Sequence, residues 1–189
     1  MTSPQFLSQV YKHPGISDAD LLRIIDAHER ITISKNSFLL KAGQTANEYC
    51  IVESGLIRSF LYDFEGNEIT TDFMVPGELC IEVSSIFQRL PTVEYMQALT
   101  EVTAWKIDFD RFQDLFLSIP ALPEWGRAWM TRQLVSFKRR ATEMVTDSAA
   151  QRYERLIKER PQILQLAPLK YIASYLGVTD SSLSRIRKG

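Results

Sequence analysis

Between Ile31 and Asp108 the chain changes character every few residues. The β-rich runs "ITI", "SFLL", "YCIVE", "LIRSFLYD", "EITTDFM", "TVEYMQAL" and "VTAWKID" are divided by Ala42-Gly43, Ser54-Gly55, Glu65-Gly66-Asn67 and Pro76-Gly77. β-Branched and aromatic side chains favour extended backbone, and glycine-centred breaks let the chain reverse direction. Short strands at this regular spacing suit an antiparallel roll or barrel better than a parallel sheet. Its interior is either a small-molecule pocket or a space packed with side chains.

Helices flank this β region. "SDADLLRIIDAHE" begins with a capping serine, Ser17, and carries Leu21, Leu22, Ile24 and Ile25 at helical spacing. "DFDRFQDLF" is a short amphipathic helix after the last strand. From about Ala121 to about Val145, Met130, Leu134, Phe137, Ala141 and Met144 recur at alternating four- and three-residue spacings, with Trp125 and Trp129 upstream. That is a heptad seam. It packs either on the chain's own roll or on a second copy of itself. "DSAAQRYERLIKERP" is expected to be a capped helix with Ala150, Tyr153, Leu156 and Ile157 inward, ended or kinked at Pro161.

The chain closes on "YIASYLGVTDSSLSRIRKG", from Tyr171. Ile172, Ala173 and Leu176 share one helix face, Gly177 can take a left-handed turn, and Leu183 with Ile186 resumes the apolar pattern. Thr179 stands where a hydroxyl caps the next helix. The expected result is a helix-turn-helix. Its second helix points Asp180, Ser181, Ser184, Arg185, Arg187 and Lys188 outward, with Ser182 beside them. Short hydrogen-bonding groups and arginine suit base edges, and terminal cations suit phosphates. An ordinary helical hairpin with a solvated polar face is the alternative.

Charge divides the same way. Residues 127–189 hold 13 Lys and Arg against 5 Asp and Glu, whereas residues 1–126 hold 9 against 18. A basic rear is attracted to phosphate and an acidic front is not. The 189 residues, 45% hydrophobic, can build one large or two modest cores. Without a run of ~20 apolar residues or a signal-peptide layout, the expected location is the cytoplasm, with no membrane partner. Cys50 and Cys80 are too few for a metal cluster and read as small buried residues. His13 and His28 read as surface residues of the N-terminal helical region rather than ligands. No nucleophile–base set, metal-ligand spacing or phosphate-cradling glycine loop argues for an enzyme.

The order entry helix, roll with Gly43, Gly55 and "PGEL", long helix, helix-turn-helix resembles the cyclic-AMP receptor and fumarate-nitrate regulator (Crp/Fnr) superfamily over essentially the whole chain. "FMVPGELCIE" and "QRYERLIKERPQIL" with "YIASYLGVTDSSLSRIRK" look like a short subgroup of it familiar from Bacteroidetes. The resemblance implies an α+β protein: an N-terminal antiparallel β-roll like a cyclic nucleotide-binding domain (a double-stranded β-helix) over 1–119, a dimerisation helix over 120–146, and a helix-turn-helix domain over 147–189. It implies a homodimer reading a twofold-symmetric operator in double-stranded DNA, with RNA polymerase as a further partner. Trp129, Met130, Leu134, Phe137, Ala141 and Met144 would form the dimer interface.

Residue by residue the transfer is incomplete. Nucleotide-binding members hold the ribose with a glycine–glutamate pair, matched here by Gly77-Glu78 and followed by Leu79 and Cys80. They hold the phosphate with an arginine and a small hydroxyl residue, where this chain has Thr92-Val93. Arg89 is the nearest cation that could stand in. A buried phosphodiester without a cation is costly, so cyclic AMP is not expected to bind, no cofactor is implied, and the effector is unknown. Glu78 is equally readable as a turn residue. At the reading end, Asp180 and Ser181 replace the larger groups common in relatives, Arg185 is the best base reader, and the chain stops at Gly189 with no residues for a β-wing. Backbone grip should then rest on Arg187, Lys188 and Lys138-Arg139-Arg140. A ligand-binding or interaction module that has lost specific DNA binding remains the alternative function.

Overall fold

The computed structural model describes residues 3–188. Two N-terminal helices, α1 (Ser3–Val10) and α2 (Asp18–Ala27), precede eight strands: β1 (Glu29–Ile33), β2 (Phe38–Leu40), β3 (Glu48–Ser54), β4 (Ile57–Tyr62), β5 (Glu68–Met74), β6 (Leu79–Cys80), β7 (Tyr95–Ala98) and β8 (Val102–Asp108). A short helix, α3 (Val83–Gln88), interrupts them between β6 and β7. They form two four-stranded antiparallel sheets, ordered β1-β8-β3-β6 and β2-β7-β4-β5. Apart from the β4–β5 hairpin, the chain passes from one sheet to the other at each connection between consecutive strands. This is the roll expected from the short runs and glycine breaks.

Five helices follow: α4 (Phe109–Ser118), α5 (Leu122–Thr146), α6 (Ala149–Glu159), α7 (Pro161–Leu166) and α8 (Leu169–Tyr175), then α9 (Asp180–Ile186) closes the chain. Ser17 caps α2 as expected, accepting from the Asp20 amide. Ser148 caps α6 in a reciprocal box with Gln151. Pro161 starts α7 instead of merely ending α6, because the first helical position needs no N–H donor.

Three apolar clusters hold the molecule together. In one, Leu7 and Tyr11 of α1, Ile24 of α2, Ile51, Trp105 and Ile107 of the roll, and Phe112, Leu122 and Trp125 of α4 and α5 interdigitate. A second fills the roll with Val52, Ile57, Met96, Ala98 and Ala104. The third joins Leu56, Phe73, Val75 and Leu99 of the roll to Leu156, Ile163, Ile172, Ala173, Leu176 and Leu183 of the C-terminal helices. The C-terminal unit is therefore packed on the roll, with α8 against β5.

Two sequence expectations need correction. His28 is buried at 8% exposure, not a surface residue: its Nδ1 donates to the Ile24 carbonyl at 2.7 Å, which leaves Nε2 to accept from the Tyr11 hydroxyl at 3.1 Å. Burial lowers its pKa, so the neutral ring fits this bonding. On α6, Leu156 is buried but Ile157 is 44% exposed and Ala150 is exposed, because the inner face is set by α7 and α9 rather than by the roll.

Candidate functional site

The segment expected to form a helix-turn-helix is built from α8, a turn and α9. Gly177 has φ +67°, a left-handed conformation that L side chains rarely adopt, and it ends α8. The Thr179 side chain then accepts from the Ser182 amide at 3.2 Å, satisfying a free N–H of α9. Leu183 anchors α9 to the third cluster with 1% exposure, and Ile186 is half-buried. Thr179, Asp180, Ser181, Ser184, Arg185, Arg187 and Lys188 are exposed. Ser182 is half-buried, its hydroxyl 3.0 Å from Thr179 Oγ1, which ties it to the cap.

The basic run on α5 divides differently from expectation. Lys138 is exposed. Arg139 is paired with Glu159 at 2.8 Å and Glu143 at 3.5 Å. Arg140 bonds the Thr71 carbonyl and reaches the Tyr175 carbonyl at 3.2 Å, with its guanidinium over the Tyr175 ring. Two of the three cations thus join the chain's own parts together. Sequence spacing offers only the Arg139–Glu143 pair, because Glu159, Thr71 and Tyr175 lie far along the chain.

Helix α5 buries only its first turns, through Leu122, Trp125 and Gly126. Beyond them Met130, Leu134, Phe137 and Met144 are 41–70% exposed, Ala141 is exposed and Trp129 half-buried. Most of the heptad seam is thus left exposed, while Trp129 and Phe137 also line a cavity against the roll.

The roll's candidate residues are mostly committed to the protein itself. Gly77, at φ +90°, makes the turn before β6. Glu78 accepts from the Val75 amide at 3.0 Å and pairs with Arg160 at 2.5 Å. Burial pushes its carboxyl up, against the lowering effect of Arg160. Leu79 and Cys80 form β6. Thr92 is buried; its amide donates to the Gln44 carbonyl at 2.8 Å, and its hydroxyl accepts from the Glu94 amide at 2.9 Å. Val93 is 73% exposed. Arg89 donates to the Ala46 carbonyl at 3.1 Å and Asn47 Oδ1 at 2.8 Å, with its guanidinium over Phe109.

A cavity of about 300 Å3 lies between the roll and α5, with Ser59, Asp72, Glu82, Glu94, Trp129 and Phe137 among its lining residues. Its lining contains three carboxylates and no Lys, Arg or His. Glu94 accepts from Ser59 Oγ at 2.5 Å, and burial raises its pKa, reinforced by Glu82 and Asp72. Such a chamber repels an anion.

Sequence reasoning missed the junction between roll and C-terminal unit. Arg58 is fully buried: Nε donates to Thr70 Oγ1 at 2.9 Å, one terminal nitrogen pairs with Glu68 at 2.6 Å, and the guanidinium lies between the Phe60 and Tyr171 rings, at 4.2 and 3.6 Å. The Ser174 hydroxyl accepts from the Thr70 amide and donates to the Glu68 carbonyl, serving groups of the edge strand β5. Arg160 adds Asp72 at 3.1 Å and the Phe73 carbonyl. The available signal was Arg58 itself, a cation two residues from Phe60 on the inner register of an apolar strand.

A model of the cyclic nucleotide-binding domain matches residues 30–118, the roll and α4. The anaerobic regulatory protein of Haemophilus influenzae is 26% identical over 165 residues, which cover 82% of this chain and 63% of that protein. The anaerobic regulatory protein of Pasteurella multocida is 31% identical over 90 residues, 48% of this chain and 32% of that one. The chain thus spans less than two thirds of the length of these curated relatives. Among solved structures, FixK2 from Bradyrhizobium japonicum aligns with TM-score 0.73 at 15% identity, covering 85% of this chain and 83% of its own. The c-di-GMP responsive global regulator CLP of Xanthomonas campestris gives 0.71 at 15%, covering 91% and 90%. A crp/fnr family transcriptional regulator from Eubacterium rectale gives 0.69 at 16%, covering 91% and 82%. In its domain match across the roll, its likeness to the anaerobic regulatory proteins and its order of roll, long helix and C-terminal helices, the chain is similar to regulators of the Crp/Fnr superfamily.

Proposed function

We propose that this chain is a homodimeric, DNA-binding transcription regulator of the Crp/Fnr type whose roll does not respond to cyclic AMP. The observation that carries the reading is the capped helix α9, which is anchored by Leu183 and exposes Asp180, Ser181, Ser184, Arg185, Arg187 and Lys188. The exposed seam of α5 supports a dimer, since apolar positions at heptad spacing gain by burial against a second copy. A twofold dimer would present two α9 helices to two half-sites. Against cyclic nucleotides stand the carboxylate-lined cavity and the tethering of Arg89 to Ala46 and Asn47.

DNA binding is tested by fluorescence anisotropy with the segment upstream of the chain's own coding region, against a random duplex and over a salt series. Preference for the upstream segment, with affinity falling as salt rises, is expected. Equal affinity for both duplexes would favour an interaction module instead. Calorimetry with cyclic AMP should give no saturable isotherm below about 100 μM, a threshold equivalent to ~5 kcal/mol.

A further inference from the structure

The cavity of about 300 Å3 between the roll and α5 repels an anion, and the same lining suits the opposite charge. Of its three carboxylates, Asp72 is already paired with Arg160 at 3.1 Å. Among the described residues the other two hold only neutral groups: Glu82 accepts from the Ser85 amide, and Glu94 accepts from Ser59 Oγ. Glu82 and Asp72 both repel the charge on Glu94, a repulsion that a bound cation would relieve. A second feature points into the same chamber. On the β4–β5 ladder Ser59 pairs with Asp72 and Phe60 with Thr70, so Thr71 is the extra residue of a β-bulge. Bulges re-aim a side chain. Thr71 lines the cavity beside Glu94, and its Oγ1 is closed to solvent without a hydrogen bond of good geometry. Such an atom calls for a polar partner. From α5, Trp129 and Phe137 bring aromatic rings to the chamber, and Leu79 and Met96 of the roll make much of the remainder apolar.

We propose that this chamber binds a small organic cation, a primary ammonium group on an aromatic or apolar body. The ammonium, with three N–H donors and no acceptor, would donate to Glu94 and to Thr71 Oγ1, with the charge of Glu82 nearby. The faces of Trp129 and Phe137 attract a cation as well as an apolar body. A metal ion fits less well: among the described residues no three carboxylate, histidine or cysteine side chains converge to hold one, whereas calcium requires six or more oxygen ligands. If the chain is the regulator proposed above, this compound is its effector. The test reads binding to the protein alone, so its failure and a failure to bind DNA are distinguishable.

The test is calorimetric titration of the full-length protein at neutral pH with phenethylamine, and with phenylacetate and phenethyl alcohol, which share the ring but are anionic and neutral. The amine should bind once per chain in a saturable isotherm, the alcohol more weakly and the acid not at all. Glu94→Gln should weaken the amine by about tenfold, the loss of one charge-assisted hydrogen bond, and leave the alcohol unchanged. Trp129→Leu should weaken the amine by removing a ring from the site. If Glu94→Gln fails to fold, the charge series on the wild-type protein decides. The proposal is overturned if phenethylamine gives no saturable isotherm, if phenylacetate binds as tightly, or if folded Glu94→Gln or Trp129→Leu binds the amine unchanged.

Discussion

Arg160, between α6 and α7, places its guanidinium 2.5 Å from Glu78 Oε2. The glutamate of the Pro-Gly-Glu-Leu turn is thus held by the C-terminal unit, so a ligand that claimed Glu78 would compete with docking of that unit on the roll.

Replacing Arg160 with Met should leave Glu78 and Asp72 without their cation. The expected cost is about 1.5–3 kcal/mol, the range for hydrogen bonds to charged groups. Denaturant unfolding measures the cost, and limited proteolysis should show earlier cleavage in the C-terminal helices. An unchanged midpoint with unchanged cleavage would mean that the pair is screened by solvent.

Tyr171→Ala should loosen the same junction from the other side. It removes a ring lying 3.6 Å from a fully buried guanidinium, a cation–π contact worth roughly 2 kcal/mol when desolvated. The roll keeps its own clusters, so hydrogen exchange should rise in β5 and α8 while β3 and β8 stay protected. A uniform rise across the roll would show that Tyr171 stabilises the whole fold and not the junction.

The acidic cavity makes a pH prediction. Burial raises the pKa of Glu94 above its ordinary value of 4.5, with no cation in the lining to oppose it. A carboxyl whose pKa is higher folded than unfolded stabilises the fold below the unfolded value, and that contribution is lost as pH rises through the folded value. Glu94→Gln should therefore raise the melting temperature at pH 7, and its advantage should shrink toward pH 4.5. Thermal melts of both proteins across that range check the sign; a gap that widens on acidification would refute the assignment.

How much of this was legible in the sequence depended on the range of the interactions. The roll, the cap at Thr179, the turn at Gly177 and the seam of α5 follow from local spacing, and each was readable. Strand β6 was hidden because its two residues pair with β3 only after the turn at Gly77 has folded. Arg140 read as a cation for the DNA backbone until the fold supplies Thr71, and Arg160 had no role to read until the fold supplies Asp72 and Glu78. Arg89 looked available for a phosphate. Its left-handed backbone, φ +58°, turns it toward Ala46 and Asn47 instead.

Phe137→Glu should dissociate the proposed dimer. Phe137 is 51% exposed on the seam, where pairing would surround the new carboxylate with apolar groups from both copies. Sedimentation velocity at micromolar concentration decides the matter, and a wild-type monomer there would sink the dimer before any variant is made.

The proposed reading helix, α9, yields the sharpest contrast. Arg185 and Lys188 are both exposed, one within α9 and one just past its end. An arginine within the reading helix reaches guanine through two hydrogen bonds, whereas a lysine beyond it meets only phosphate. Arg185→Ala should therefore weaken binding to the preferred duplex by about 1–3 kcal/mol while leaving random-duplex binding nearly unchanged. Lys188→Ala should weaken both duplexes alike and reduce the slope of log affinity against log salt by about one ion. Anisotropy on the two duplexes over a salt series separates these effects. If Arg185→Ala lowered both affinities equally, base reading would have to come from the short polar groups at Asp180, Ser181 and Ser184, and Arg185 would join Lys188 as a phosphate contact.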